Sequence, residues 1–146
     1  MIRRILLAVD DSPTALKAAR LAVALAAATR AELRVLHAVE DHVLTDAVGR
    51  VSTARDVARR REVSAENVLR VVSELARDAG VTARTTLRGG GPVECVLAEA
   101  RSWEADLVVV GIPDDARPGA AAAVIEFADQ PVLVVPGRRP PGGPSG

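Results

Sequence analysis

The residues best placed to do chemistry stand near the head of the chain, in ILLAVDDSPTALKAA, residues 5 to 19. An apolar run stops at Asp10 and Asp11, and a Ser-Pro step leads into an alanine-rich stretch. Two carboxylates at a strand end can hold a magnesium ion, contact a ligand or tie down the start of a helix. Few other reactive residues offer them help. His37 lies in an apolar run with no Cys or His at ligand spacing, so it reads as a core histidine, and His42 stands alone in a loop. Cys95 has no nearby His in sequence to activate its thiol and reads as a packing residue. The run ARRRE, residues 58 to 62, reads as a solvated helix face rather than a phosphate site.

A magnesium-held acidic pair suits the phosphoacceptor chemistry of receiver domains, which needs two further groups. One is an acceptor Asp at the end of the third strand, and the other is a lysine after the last strand. Here the third apolar run ends in Arg88-Gly89-Gly90 and the fifth in Pro136-Gly137, while Lys17, the chain's one lysine, lies in the first helical stretch. The phosphoacceptor reading fails.

The elements that must position these residues follow from the spacing of apolar side chains. Ile5 to Val9, Leu33 to Val39, Val81 to Leu87, Leu107 to Val110 and Val132 to Val135 are short Val- and Leu-rich runs that read as strands. Ser12 and Pro13 open a first helix as cap and first residue. A second, over about 52 to 79, places Val68, Leu69, Val72, Leu75, Ala76 and Ala79 on one face and stops at Gly80. Pro92 starts a third, with Val93, Val96, Leu97 and Ala100 facing inward, and the turn RGGGP before it needs its glycines. A fourth covers about 118 to 128, and Trp103 covers the corner between the third helix and the fourth strand. Strand-helix units repeated four times and closed by a fifth strand call for a doubly wound α/β domain with a parallel sheet and helices on both faces. VTARTTL alternates apolar and polar residues, which places the third strand at an edge. VLVV is apolar on both faces and last in order, so it reads as an edge that something covers.

Composition narrows the partners. With 19 basic and 19 acidic residues the formal net charge is zero, which argues against nucleic acid and anionic membranes as partners. Trp103 and Phe127 are too few aromatics for a base-stacking platform. A single cysteine excludes an intrachain disulfide, and no apolar run is long enough to span a bilayer. These features predict a cytoplasmic protein. Residues 1–136 are expected to form one domain, and 137–146, GRRPPGGPSG, a disordered tail.

Five stretches in order carry a family resemblance: RRILLAVDDSPTALKAARLAVALA, AELRVLHAVE, GGPVECVLAEA, EADLVVVG and QPVLVVPG. Together they resemble the universal stress protein family over about residues 2 to 136. The resemblance implies the adenine nucleotide alpha hydrolase-like fold with strand order 3-2-1-4-5. Ligands of such sheets sit at the carboxyl ends of the strands where the order reverses, here between Asp10 and Gly111. For Asp10 two readings stay open, a polar contact to a nucleoside or an acid near helix amides. Asp11 and Ser12 read as capping residues. The resemblance places Val39, at the end of the second strand, beside the nucleoside pocket, although a valine there also serves as core.

Family members that bind ATP carry Gly, two residues, Gly, nine residues, Gly, then Ser or Thr after the fourth strand. This chain keeps Gly111, but Asp114, Val124 and Ile125 occupy the next three positions, and the segment is shorter than usual. Pro113 and Pro118 each remove an amide donor. Asp114 and Asp115 would repel a triphosphate by ~1 kcal/mol each in water and ~4 kcal/mol at an effective dielectric of 20, for charges about 4 Å apart. The expectation is a stress-response homodimer with a regulatory or interaction role, acting through a protein partner or a small ligand, without a cofactor and without tight ATP binding. The alternative is a member binding ATP with Mg or AMP through a rebuilt loop. An enzyme of the related hydrolase group would need a Ser-Gly-Gly-type loop after strand one, which DDSPT lacks. The self-contact is expected through Val132, Leu133, Val134 and Val135, the strand by which the resemblance also implies dimerisation.

Overall fold

In the computed structural model, residues 1–10, 12–39, 51–112 and 119–137 are described. The chain runs β1 (Arg4–Val9), α1 (Pro13–Thr29), β2 (Glu32–Val39), α2 (Val51–Asp78), β3 (Ala83–Gly89), α3 (Pro92–Trp103), β4 (Leu107–Ile112), α4 (Gly119–Phe127) and β5 (Val132–Pro136). All four strand pairings are parallel, and the sheet order is β3-β2-β1-β4-β5, as expected.

The two faces of the sheet make two cores. Ile5, Leu7, Leu33, Val35 and Val109 point to one side, against Ala18 and Ala22 of α1 and Val72 and Ala76 of α2. Leu6, Leu36, Val108 and Val110 point to the other, against Val96 and Ala100 of α3 and Val124 of α4. The central strand β1 is sealed from both sides, with Ile5, Leu6 and Leu7 all at 0% exposure. A continuous apolar run is what such a strand needs. The alanine stripe of α1 leaves no long side chain between helix and sheet, so the two backbones approach closely.

Helix ends follow local rules. Gly80, with φ +72°, closes α2 in the left-handed region where glycine meets no Cβ penalty. Two expectations change in detail. The alternation of the third strand holds at Val81 and Ala83, but Leu87 is 39% exposed and Thr86 is half-buried. That strand is an edge of the sheet, and Leu87 is left exposed on it. In α3 the buried positions are Val96, Glu99 and Ala100, while Leu97 is only half-buried. Glu99 was not expected inside.

The open end of β1 is held by one carboxylate. Asp106 Oδ2 accepts the backbone N–H groups of Arg3 at 2.8 Å and Arg4 at 3.0 Å, and the Asp106 N–H returns a bond to the Arg4 carbonyl. The Arg3 amide first, then the Arg4 amide, hold the Asp106 carboxyl below the ordinary aspartate value of 3.8. A depressed folded-state pKa stabilises the fold above the unfolded value and loses that contribution as pH falls through the folded one. Asp106→Asn should therefore be less stable than wild type at neutral pH, and the gap should narrow below about pH 4. Urea midpoints for both proteins across that range check this. A gap that stays constant into acid would disprove the assignment.

Candidate functional site

Because the strand order reverses between β1 and β4, the helices that follow these two strands leave on opposite faces of the sheet. The crevice between their carboxyl ends is left open. A cavity of about 120 Å³ lies there, lined by Ala8, Val9, Asp10, Ala15, Pro92, Val93, Val96, Val110, Gly111 and Val124. Its walls are apolar apart from the Asp10 carboxylate and backbone groups. The volume is below the ~300–1,000 Å³ of a site that encloses a whole drug-sized ligand. It suits one flat apolar group, with the rest of a ligand outside.

Asp10 is exposed at the end of β1. Its Oδ1 accepts the Ser12 N–H at 2.9 Å and the Ser12 hydroxyl at 2.5 Å. This is an Asx-type turn, in which an aspartate side chain takes the place of a backbone carbonyl two residues on. Ser12 occupies the N-cap position of α1, but its side chain makes no capping bond. That corrects the capping role expected of it. The hydroxyl instead donates to the charged Asp10 carboxylate, and Pro13 has already removed one amide that needed a cap. Oδ2 of Asp10 has no partner among the described residues, and Asp10 is one of the residues that line the cavity. Asp11 lies outside the described residues.

Gly111 has a second reason to be glycine. A Cβ built there would lie 3.0 Å from Thr14 Cγ2 and 3.3 Å from the Thr14 carbonyl oxygen. Thr14 is buried in the first turn of α1. Gly111 thus lets α1 close against β4 and brings the start of that helix to the crevice. Val39 ends β2, in register with Gly89 of β3. Its side chain lies outside the described residues, as do the structures of 40–50 and of 113–118, which hold His42, Pro113, Asp114, Asp115 and Pro118. The tail from residue 138 onward also lies outside them.

The remaining candidates are not among the residues lining this cavity. His37 is 5% exposed within β2. Cys95 packs beside the second core, with Sγ 3.8 Å from the Gly89 carbonyl oxygen. Among the described residues no group of three His, Cys, Asp or Glu side chains is placed to hold a metal, and no helix is long and apolar enough to cross a membrane. Val132, Leu133, Val134 and Val135 lie on β5, which ends the sheet opposite β3, and the first three are only half-buried.

One charged cluster was missed at the level of sequence. Glu99, on α3, is buried and sits between two arginines. Arg34 Nη1 of β2 donates to Oε1 at 2.6 Å, and Arg88 Nη2 of β3 lies 2.6 Å from Oε2. The second contact is off the hydrogen-bond axis and acts as a charge pair rather than an aligned bond. The signal was present: Val96, Glu99, Ala100 and Trp103 share one helical stripe, and a glutamate within an inward stripe needs a cation opposite.

Comparison with known proteins supplies the rest. The model of the universal stress protein family matches residues 1–136. Universal stress protein YxiE of Bacillus subtilis is 33% identical over 117 residues, covering 76% of this chain and 79% of that protein. A universal stress protein solved in complex with cAMP superimposes with a TM-score of 0.71 at 22% identity, over 94% of this chain and 98% of its own. The universal stress protein of Archaeoglobus fulgidus in complex with dAMP gives 0.68 at 22% identity, over 92% and 99%. At these identities the two structures share the fold.

Proposed function

The chain belongs to the universal stress protein family, and on that premise we propose that it is a non-enzymatic regulatory member whose switch-point cavity senses an adenine mononucleotide rather than holding ATP tightly. The observation that carries this reading is the apolar cavity at the β1/β4 crevice with the Asp10 carboxylate on its rim. Apolar walls suit the faces of a heterocycle, and the free Oδ2 of Asp10 can accept from a ring amine or a ribose hydroxyl. The fold-level likeness to proteins solved with cAMP and dAMP supports the same ligand class.

A triphosphate fits less well. Among the described lining residues there is no Lys, Arg or His to meet it, two glycine positions of the ATP motif carry Asp114 and Val124, and its Ser/Thr position carries Ile125. A divalent metal bound with ATP would offset the repulsion at Asp114 and Asp115, which keeps the ATP-with-Mg alternative as the competing outcome. Calorimetric titration with AMP, cAMP, ADP and ATP, with and without Mg²⁺, tests the reading. The expected result is mononucleotide binding that Asp10→Ala weakens by about tenfold, the loss of one charge-assisted hydrogen bond. Tight ATP binding that survives Asp10→Ala would overturn it.

The proposed assembly is a homodimer through β5. Its apolar side chains are half-buried at the edge of the sheet, and Ile125 and Phe127, on the α4 that packs beside it, are 53% and 59% exposed. A free apolar edge of this kind is completed by the same strand of a second copy.

A further inference from the structure

A second cavity, of about 220 Å³, lies at the opposite end of the sheet from the switch point, where β2 and β3 begin. Glu32, Leu33, Arg34, Thr82, Arg84 and Trp103 line it. We propose that this cavity is a binding site for a small ligand carrying one phosphate-type oxyanion, gripped by Arg34 and Arg84.

Arg34 and Arg84 are partners in the parallel register of β2 and β3, so their side chains leave the same face side by side. Arg34 is a fixed donor rather than a swinging surface arginine. Its Nη1 is bound to the buried Glu99 at 2.6 Å, and its guanidinium carbon lies 4.6 Å from the centre of the Trp103 ring. Trp103 is held in turn, because Arg4 Nη1 donates to its carbonyl oxygen at 2.9 Å. A guanidinium fixed at one nitrogen and one face keeps other N–H groups for a ligand and loses little entropy on binding it.

Arg84 supplies the second arm. It is exposed and makes no ion pair or side-chain hydrogen bond among the described residues. Glu99 is buried and shared between Arg34 and Arg88, with no ion pair to Arg84. Arg34, Arg84 and Arg88 against Glu32 and Glu99 leave one net positive charge around the cavity, and paired guanidiniums match the tetrahedral oxygens of a phosphate group. Glu32 also lines the cavity; its repulsion grows with the charge of the ligand, and it can accept from a ligand hydroxyl. That favours a phosphate monoester over a polyphosphate.

Trp103 is the chain's one tryptophan and lines this cavity, so its emission is the probe. The test titrates the full chain with inorganic phosphate, glycerol 3-phosphate and pyrophosphate, with chloride holding ionic strength constant. A saturable change in Trp103 emission in the millimolar range is expected, with glycerol 3-phosphate binding more tightly than pyrophosphate. Arg84→Ala, an exposed position that leaves the core intact, should weaken it by about tenfold, and Arg84→Lys should recover part of the loss. Asp10→Ala, at the other end of the sheet, should leave it unchanged. Emission that does not saturate, an Arg84→Ala titration equal to wild type, or loss of the signal in Asp10→Ala would each overturn the proposal.

Discussion

Glu99→Ala is expected to lower the free energy of unfolding by about 3 kcal/mol, the low end of the cost of removing one partner from a buried charge pair. The Glu99 side chain is 3% exposed, whereas those of Arg34 and Arg88 are 22% and 45% exposed. Loss of the carboxylate leaves two guanidiniums facing one another across the cavity left by the deleted side chain. Their partial exposure lets water return to them, which keeps the cost toward the lower end. Arg34 also loses the anchor that holds it against Trp103. Glu99→Gln keeps the volume and one acceptor but no charge, and should cost about half as much. Urea unfolding followed at Trp103 and by circular dichroism measures both. A shift in the unfolding free energy below about 1 kcal/mol for Glu99→Ala would show that the pair acts as an ordinary surface contact.

Leu133→Lys is expected to convert the proposed dimer to monomer. Leu133 packs against the core shared with α1 and α2, while Val132 and Val134 pack against the core of α3 and α4. A lysine at position 133 can leave its ammonium in water only by lifting away from the edge where a second copy would pair. Val134→Pro acts differently, because it deletes one N–H of the strand. Both should move the protein to monomer or to aggregate in sedimentation equilibrium. The monomeric outcome should leave the circular dichroism spectrum native, since Lys17 still ties α1 to the Pro136 carbonyl at 2.9 Å. Wild-type protein that sediments as a monomer at micromolar concentration would falsify the β5 assembly.

Both expectations depend on strands at the margins of the sheet, and the proposed ligand sites lie at its two ends. β1 and β4 meet at the switch point, where Asp10 follows β1 and Gly111 lies in β4. β2 and β3 carry Arg34 and Arg84 at the other end. Arg84→Ala and Asp10→Ala are thus expected to act independently, as distant sites without shared partners do.

What was legible in the sequence depended on periodicity and on local chemistry. Continuous Val and Leu runs between helical patterns specify a parallel sheet, because only a strand covered on both faces tolerates apolar residues at every position. Gly80 and Pro92 mark helix ends for reasons internal to one or two residues. The five ordered motifs then pointed to the family and its strand order. What only the tertiary structure decided were pairings between residues far apart in the chain. Glu99 drew no expectation from the sequence; β2 and β3 place Arg34 and Arg88 against it, across 65 residues in the case of Arg34. Gly111 looked like a remnant of a phosphate motif, and its contact with Thr14 shows that it also admits α1 to the sheet. Ser12 reads as a cap from its place before Pro13, but in the folded chain its hydroxyl donates back to Asp10 and makes no capping bond. Hydrophobic periodicity is written along the chain and can be read there. The partner of a buried charge, or the neighbour of a missing Cβ, depends on which elements the fold brings together.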